Sequence, residues 1–210
     1  MFVPLETLLP FAALCLGLVL TPGPNMIYLM SRSLSQGWRA GAVSLIGTVM
    51  GFMVFVLCAA LGLTAVAFAV PLAYDAIKFA GAAYLMWLAW QSLKPGGASV
   101  FTTGTLTPAG ARKLVAMGLF TNLLNPKVAL FYIALLPQFV DPAHGNLFAQ
   151  YVVLGFVQIS ISAAVNFLFI LSAGAMSRFL ARHPLWLLVQ RYVMGVVLGA
   201  LAVRLALDRR

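Results

Sequence analysis

The chain of 210 residues is 63% hydrophobic and 8% charged, with a mean hydropathy of +1.02. A soluble domain of this length carries roughly 25% charged residues, so the composition points to an all-α integral membrane protein. The net charge of +9 does not indicate a nucleic-acid partner, because the basic residues lie singly or in pairs between apolar runs, as charges flanking a lipid bilayer do.

A helix that crosses a bilayer needs roughly 20 apolar residues. Six runs meet or approach that length: 5–30, 40–69, 73–93, 114–138, 147–177 and 185–206. No Lys or Arg precedes Arg32, so the first run lacks the basic region of a signal peptide and is expected to stay in the mature protein. It is interrupted by Thr21-Pro22-Gly23-Pro24-Asn25. Pro22 and Pro24 have no backbone N–H and free carbonyls one turn earlier, while Gly23 permits unusual dihedrals. Asn25 then opens a new half-helix, whose exposed N–H groups suit a carboxylate. Thr21 and Tyr28 add hydroxyls. A plain kink, with Asn25 bonding a freed carbonyl, is the other reading of the same residues.

The second run carries Gly37, Gly41, Ser44, Gly47, Thr48 and Gly51 on one helical face. Such a face lets helices approach closely, inside the bundle or at a homodimer seam. In the third run, Asp75 precedes Lys78 by three residues, which fits an interfacial ion pair or a proton-coupling carboxylate. The stretch 94–111, rich in Gly, Thr, Ser and Pro, is a polar linker. It separates a first half, 1–93, from a second, 112–210.

The fourth run contains the second break, Asn122-Leu123-Leu124-Asn125-Pro126-Lys127. A lysine at mid-helix depth costs ~2.5–3.5 kcal/mol on insertion scales. Lys127 therefore needs water, backbone carbonyls or a carboxylate, and the chain holds only Glu6, Asp75, Asp141 and Asp208. A carboxylate on a transported molecule answers that need. In the fifth run Gln158, Ser162 and Asn166 recur at spacing four, on one face that lines a wet pathway or bonds to neighbouring helices. Gly195 and Gly199 repeat the small-residue device in the sixth.

If all six runs span, Arg32, Arg39, Lys94, Arg112, Lys113, Arg178, Arg182 and Arg191 share one side, against Lys78, Arg204, Arg209 and Arg210 on the other. That excess makes the first side cytoplasmic and leaves both termini outside; with the first run re-entrant at its Pro pair, five full spans remain and the N-terminus is inside. A three-span unit repeated in tandem inserts its second copy upside down. The expected fold is thus six transmembrane helices in two inverted three-helix repeats, with helices 1 and 4 broken by proline. Paired breaks in corresponding positions of two halves mark a transporter's midplane site. Irregular backbone survives at that depth only where protein buries it or a wet cavity receives it.

Other chemistries find little support. His144 and His183 fall in loops, and no HExxH or GxSxG occurs, so no enzyme is indicated. Cys15 and Cys58 form no CxxC and read as packing residues. A transmembrane thiol–disulfide carrier requires them to face each other. A metal-ion exporter requires clustered ligands, and no metal or other cofactor is indicated.

The motifs Thr21-Pro22-Gly23-Pro24-Asn25, Lys78-Phe79-Ala80-Gly81-Ala82-Ala83-Tyr84-Leu85, Gly118-Leu119-Phe120-Thr121-Asn122-Leu123-Leu124-Asn125-Pro126-Lys127 and Leu136-Pro137-Gln138-Phe139-Val140 resemble the lysine exporter family, specifically its LysE/RhtB branch. The match runs over essentially the whole chain. The resemblance implies a bacterial inner-membrane protein that exports amino acids, driven by a proton gradient or membrane potential, with no prosthetic group. It implies functional roles for Pro22, Gly23, Pro24, Asn25, Asn125, Pro126 and Lys127. A coupling role for Asp75 is not part of that pattern. One buried lysine without a buried acid pair leans toward neutral or polar cargo, threonine- or homoserine-like, over cationic.

Overall fold

The computed structural model describes residues 3–21, 23–63 and 107–182, with scattered positions between 79 and 94 and between 185 and 207. Pro22, Asp75, Lys78 and most of the third and sixth runs lie outside the described residues.

Every regular element among the described residues is helical. Helix α1 spans Leu5–Leu20 and α2 spans Pro24–Gln36, the two meeting at a bend of 55°. The cause is covalent. A residue-22 N–H would continue α1 by bonding the Leu18 carbonyl, and proline has none. The Thr21 N–H bonds Leu18 O instead, at 3.1 Å, and its hydroxyl donates back to Gly17 O at 2.9 Å. Pro24 opens α2 at the first helical position, where its missing N–H costs nothing. Gly23 sits in extended backbone, φ −168°. The expected unusual dihedral is therefore absent, and the small size of Gly23 is what matters below. Gly37, with φ 86°, makes the whole turn into the next helix.

Helix α3 spans Trp38–Cys58 and runs on as a π-turn over Ala59–Leu63. Helix α4 covers Ala111–Leu123. Asn125 then caps α5, Pro126–Leu130, accepting the Lys127 N–H on its side-chain oxygen at 3.1 Å. That element continues as a π-turn, Phe131–Leu135, and a 3-10 turn, Leu136–Phe139, so that the α4–α5 pair bends by 53°. A short 3-10 turn, Pro142–His144, leads to α6, Leu147–Arg182. At 36 residues, α6 extends about 54 Å at 1.5 Å per residue, well beyond a hydrocarbon core of about 30 Å.

Trp38–Gly62 and Leu147–Ala175 are each long and apolar enough to cross a membrane, with mean hydropathies of 2.3 and 2.0. The two bent pairs qualify jointly, which gives two to four spans among the described residues. Composition and span length together make this an integral membrane protein.

The glycines explain how the helices pack. A Cβ on Gly47 would lie 2.0 Å from the Val115 carbonyl oxygen, and one on Gly118 would lie 2.2 Å from that of Ser44. Helices α3 and α4 thus touch backbone to backbone. Gly41 meets Ile170 and Ser33, and Gly51 meets Asn122. From Gly41 to Gly51 the small face of the second run is occupied within the chain, whereas Gly37, read as part of that face, is the turn before α3 and meets nothing within 4 Å. Phe11 of α1 meets Phe131 and Phe139 at ring separations of 5.9 and 5.1 Å, which fastens α1 to the region after α5.

Arg32 is buried on α2. Its guanidinium donates to the Thr107 carbonyl at 3.0 Å and to Gln36 Oε1 at 3.1 Å. Gln36 in turn exchanges two hydrogen bonds of 3.1 Å with the backbone of Ala109. The last residues of the polar linker are thus tied to the end of α2 through Arg32 Nη1, while Nη2 meets Met117 Sδ at 3.6 Å and Nε has no partner among the described residues.

Candidate functional site

The two proline breaks meet. Lys127, one residue into α5, reaches across to the end of α1. Its Nζ donates to Leu18 O at 3.1 Å and to Thr21 O at 2.7 Å. Backbone carbonyls therefore answer the lysine in this conformation, and among the described residues no carboxylate pairs with it. A Cβ on Gly23 would stand 3.0 Å from Nζ and 3.2 Å from Cε, so the absence of a side chain makes room for the ammonium.

A narrow cavity of about 30 Å³ opens beside this contact. Ligand pockets usually begin at ~300 Å³, so the space suits a few waters. Thr21, Asn25 and Met26 line it from the first break, and Asn125, Lys127 and Val128 from the second. Gln158, Ser162 and Asn166 close it from α6, with Phe52 and Phe131 alongside. Those three polar residues form a chain. The Tyr132 hydroxyl donates to Gln158 Oε1. Gln158 Nε2 donates to Ser162 Oγ at 2.7 Å, and Asn166 Nδ2 to the Ser162 carbonyl at 2.8 Å. The stripe read at spacing four thus faces the cavity.

Two amide atoms at the cavity have no hydrogen-bond partner among the described residues: Asn25 Oδ1 and Asn125 Nδ2. Asn25 is 8% exposed and Asn125 1%. A buried polar atom left unsatisfied costs about 1–3 kcal/mol, which makes each a place where a ligand gains affinity. The orientation of Asn125 follows from its capping role: Oδ1 takes the Lys127 N–H, and Nδ2 is left free.

Not every expected residue reaches the cavity. Tyr28 turns to the α3–α4 side, where its hydroxyl donates to the Leu114 carbonyl at 2.8 Å and meets Ser44 Oγ at 3.1 Å. Asn122 is fully buried against Gly51, behind the lining. Pro24 and Pro126 begin α2 and α5 and shape the site through the backbone. Cys15 is buried in the core while Cys58 is exposed, so the two thiols occupy different environments. The apolar lining from Met26, Phe52 and Phe131 carried no signal in the sequence beyond ordinary core composition.

Comparison with known proteins places the chain among efflux proteins of bacterial membranes by similarity of sequence. A homoserine/homoserine lactone efflux protein of Salmonella typhi is 36% identical over 148 residues, covering 70% of this chain and 71% of the relative. A leucine efflux protein of Enterobacter sp. (strain 638) is 26% identical over 193 residues, 90% of each chain. An uncharacterized membrane protein of Vibrio cholerae is 33% identical over 165 residues, 79% of each. No solved structure gives a significant match. The family model for LysE type translocators matches residues 16–209, a range that takes in both breaks and the helix that closes the cavity, and the chain belongs to that family.

Proposed function

We propose that this translocator is a secondary exporter of neutral or polar amino acids. The observation that carries the reading is the meeting of the two breaks. One cavity holds a lysine ammonium, two unpartnered amide atoms and a polar stripe, with apolar residues alongside. An amino acid offers an ammonium, a carboxylate and a side chain, which are the groups such a lining receives. The efflux of homoserine, homoserine lactone and leucine named for the relatives supports the same chemical range.

The driving force proposed is the proton gradient or the membrane potential, with Asp75 as the candidate coupling carboxylate. The proposed topology has six spans in the inner membrane, with the halves 1–93 and 112–210 inverted and both termini outside. The matching bends of 55° and 53° in the two broken pairs support such a repeat. A panel of cells with and without the protein, each loaded with one amino acid, tests the activity. Faster efflux of homoserine, threonine or leucine is expected, and equal efflux of every compound would refute it.

A further inference from the structure

Building on the export reading, we propose that Lys127 is a latch that the cargo's own α-ammonium displaces. The Leu18 and Thr21 carbonyls that now hold Lys127 would receive the cargo's amino group, and the released Lys127, with Asn125, would receive its carboxylate.

The two breaks offer opposite hydrogen-bonding chemistry. From the first come acceptors: Leu18 O, Thr21 O and the unpartnered Asn25 Oδ1. From the second come donors: the Lys127 ammonium and the unpartnered Asn125 Nδ2. A primary ammonium has three donors and no acceptor, so Lys127 Nζ occupies two carbonyls that would suit an amino acid's ammonium equally well. The lysine is a surrogate for half of the cargo.

Charge bookkeeping favours this exchange. With the site empty, the two carbonyls solvate the lysine. With a zwitterion bound, the cargo brings one positive and one negative group, and the net charge of the site stays the same. No step leaves an unpaired ammonium in a low-dielectric interior, where it is expensive. The latch also accounts for the cavity's size. While Nζ ties the end of α1 to α5, only about 30 Å³ is open. Releasing Nζ frees the α1–α2 break to move away.

The test uses full-length protein in proteoliposomes, with Cys15→Ala and Cys58→Ala removing the native thiols and Val19→Cys reporting from the cavity wall. The rate of modification by a small hydrophilic thiol reagent is measured. Without ligand, Lys127→Met is expected to label at least about tenfold faster than the parent, since charge-assisted bonds are lost. In the parent, L-leucine or L-homoserine accelerates labelling. The corresponding amino acid amide, which brings the ammonium but no carboxylate for the released Lys127, accelerates it less. The N-acetyl derivative, with the carboxylate alone, does not accelerate it. Equal ligand-free labelling of Lys127→Met and parent overturns the latch, as does acceleration by the N-acetyl compounds or, for an amino acid that the efflux panel shows to be exported, no acceleration by that amino acid. The ligand-free comparison involves no cargo, so it decides the latch even where the efflux panel refutes amino-acid export.

Discussion

Lys127 Nζ donates at 3.1 Å to the Leu18 carbonyl oxygen, the acceptor that a residue-22 N–H would use in an unbroken α1 and that the Thr21 N–H also bonds. The defect that Pro22 makes in one half of the chain is answered by a side chain that follows Pro126 in the other. Lys127→Ala is therefore expected to abolish efflux while the protein still inserts. It leaves the Thr21 carbonyl without this donor, a loss of about 1–3 kcal/mol, which is small beside the burial of the helix bundle. Efflux assays paired with quantification of the protein in the membrane fraction check both halves of the statement. Normal efflux from the variant would remove Lys127 from the site.

Backbone contact between α3 and α4 makes a second prediction. Gly47→Ala places a Cβ 2.0 Å from the Val115 carbonyl oxygen, and neither group is the movable end of a flexible side chain. The helices must separate, at a cost of about 1–3 kcal/mol or more. A lower Tm in detergent, or loss of the monodisperse species on size exclusion, is the expected result. Gly110→Ser is the control, because no described atom lies within 4 Å of its added Cβ and serine is a favoured residue at this helix N-cap. An equal Tm for both variants would mean that the close approach is not energetically important.

These two cases show what the sequence could and could not convey. Proline's missing N–H is a covalent fact, so both breaks were legible from residue identity. The Gln158, Ser162 and Asn166 face was legible from spacing, because four residues make close to one helical turn. Backbone carbonyls were among the partners open to Lys127, but which ones was not legible, since a backbone carbonyl has no residue type to announce it. Tyr28 and Asn122 stand beside the breaks in sequence, yet their side chains are spent on Leu114 and buried against Gly51. Neighbourhood along the chain does not fix the direction of a side chain around a helix. Arg32 read as a flanking charge because it follows an apolar run. Nothing near it in sequence announces that its guanidinium bonds the carbonyl of Thr107, 75 positions later.

The loop before α6 allows a pH prediction. Asp141 accepts the Ala143 N–H at 2.8 Å and pairs with His144 Nδ1 at 2.7 Å. The Ala143 N–H first, and then His144, hold its carboxyl below the usual aspartate range. The folded value lies below the unfolded one, so the stabilisation is present above the unfolded pKa of about 3.9 and is lost as pH falls through the folded value. Asp141 thus remains ionised throughout the range from about pH 5 to 8. Asp141→Asn is expected to leave the shape of the efflux–pH profile over that range unchanged. A shifted profile would assign Asp141 a coupling role that its exposed position does not suggest.

Asn125 separates capping from recognition, because one amide does both. Its Oδ1 accepts the Lys127 N–H at 3.1 Å, and its Nδ2 is the unpartnered donor at the cavity. Asn125→Ala removes both functions and is expected to cost about 0.5–2 kcal/mol of stability as well as efflux. Asn125→Asp keeps an equally good capping oxygen but exchanges the free donor for a second acceptor. A fixed carboxylate there would pair with Lys127 and repel the carboxylate of the cargo. The Asp variant should therefore retain the parent's Tm within the error of the measurement and lose efflux, whereas the Ala variant loses both. Retained efflux in Asn125→Asp would confine this residue to capping and leave Lys127 as the sole donor from the second break.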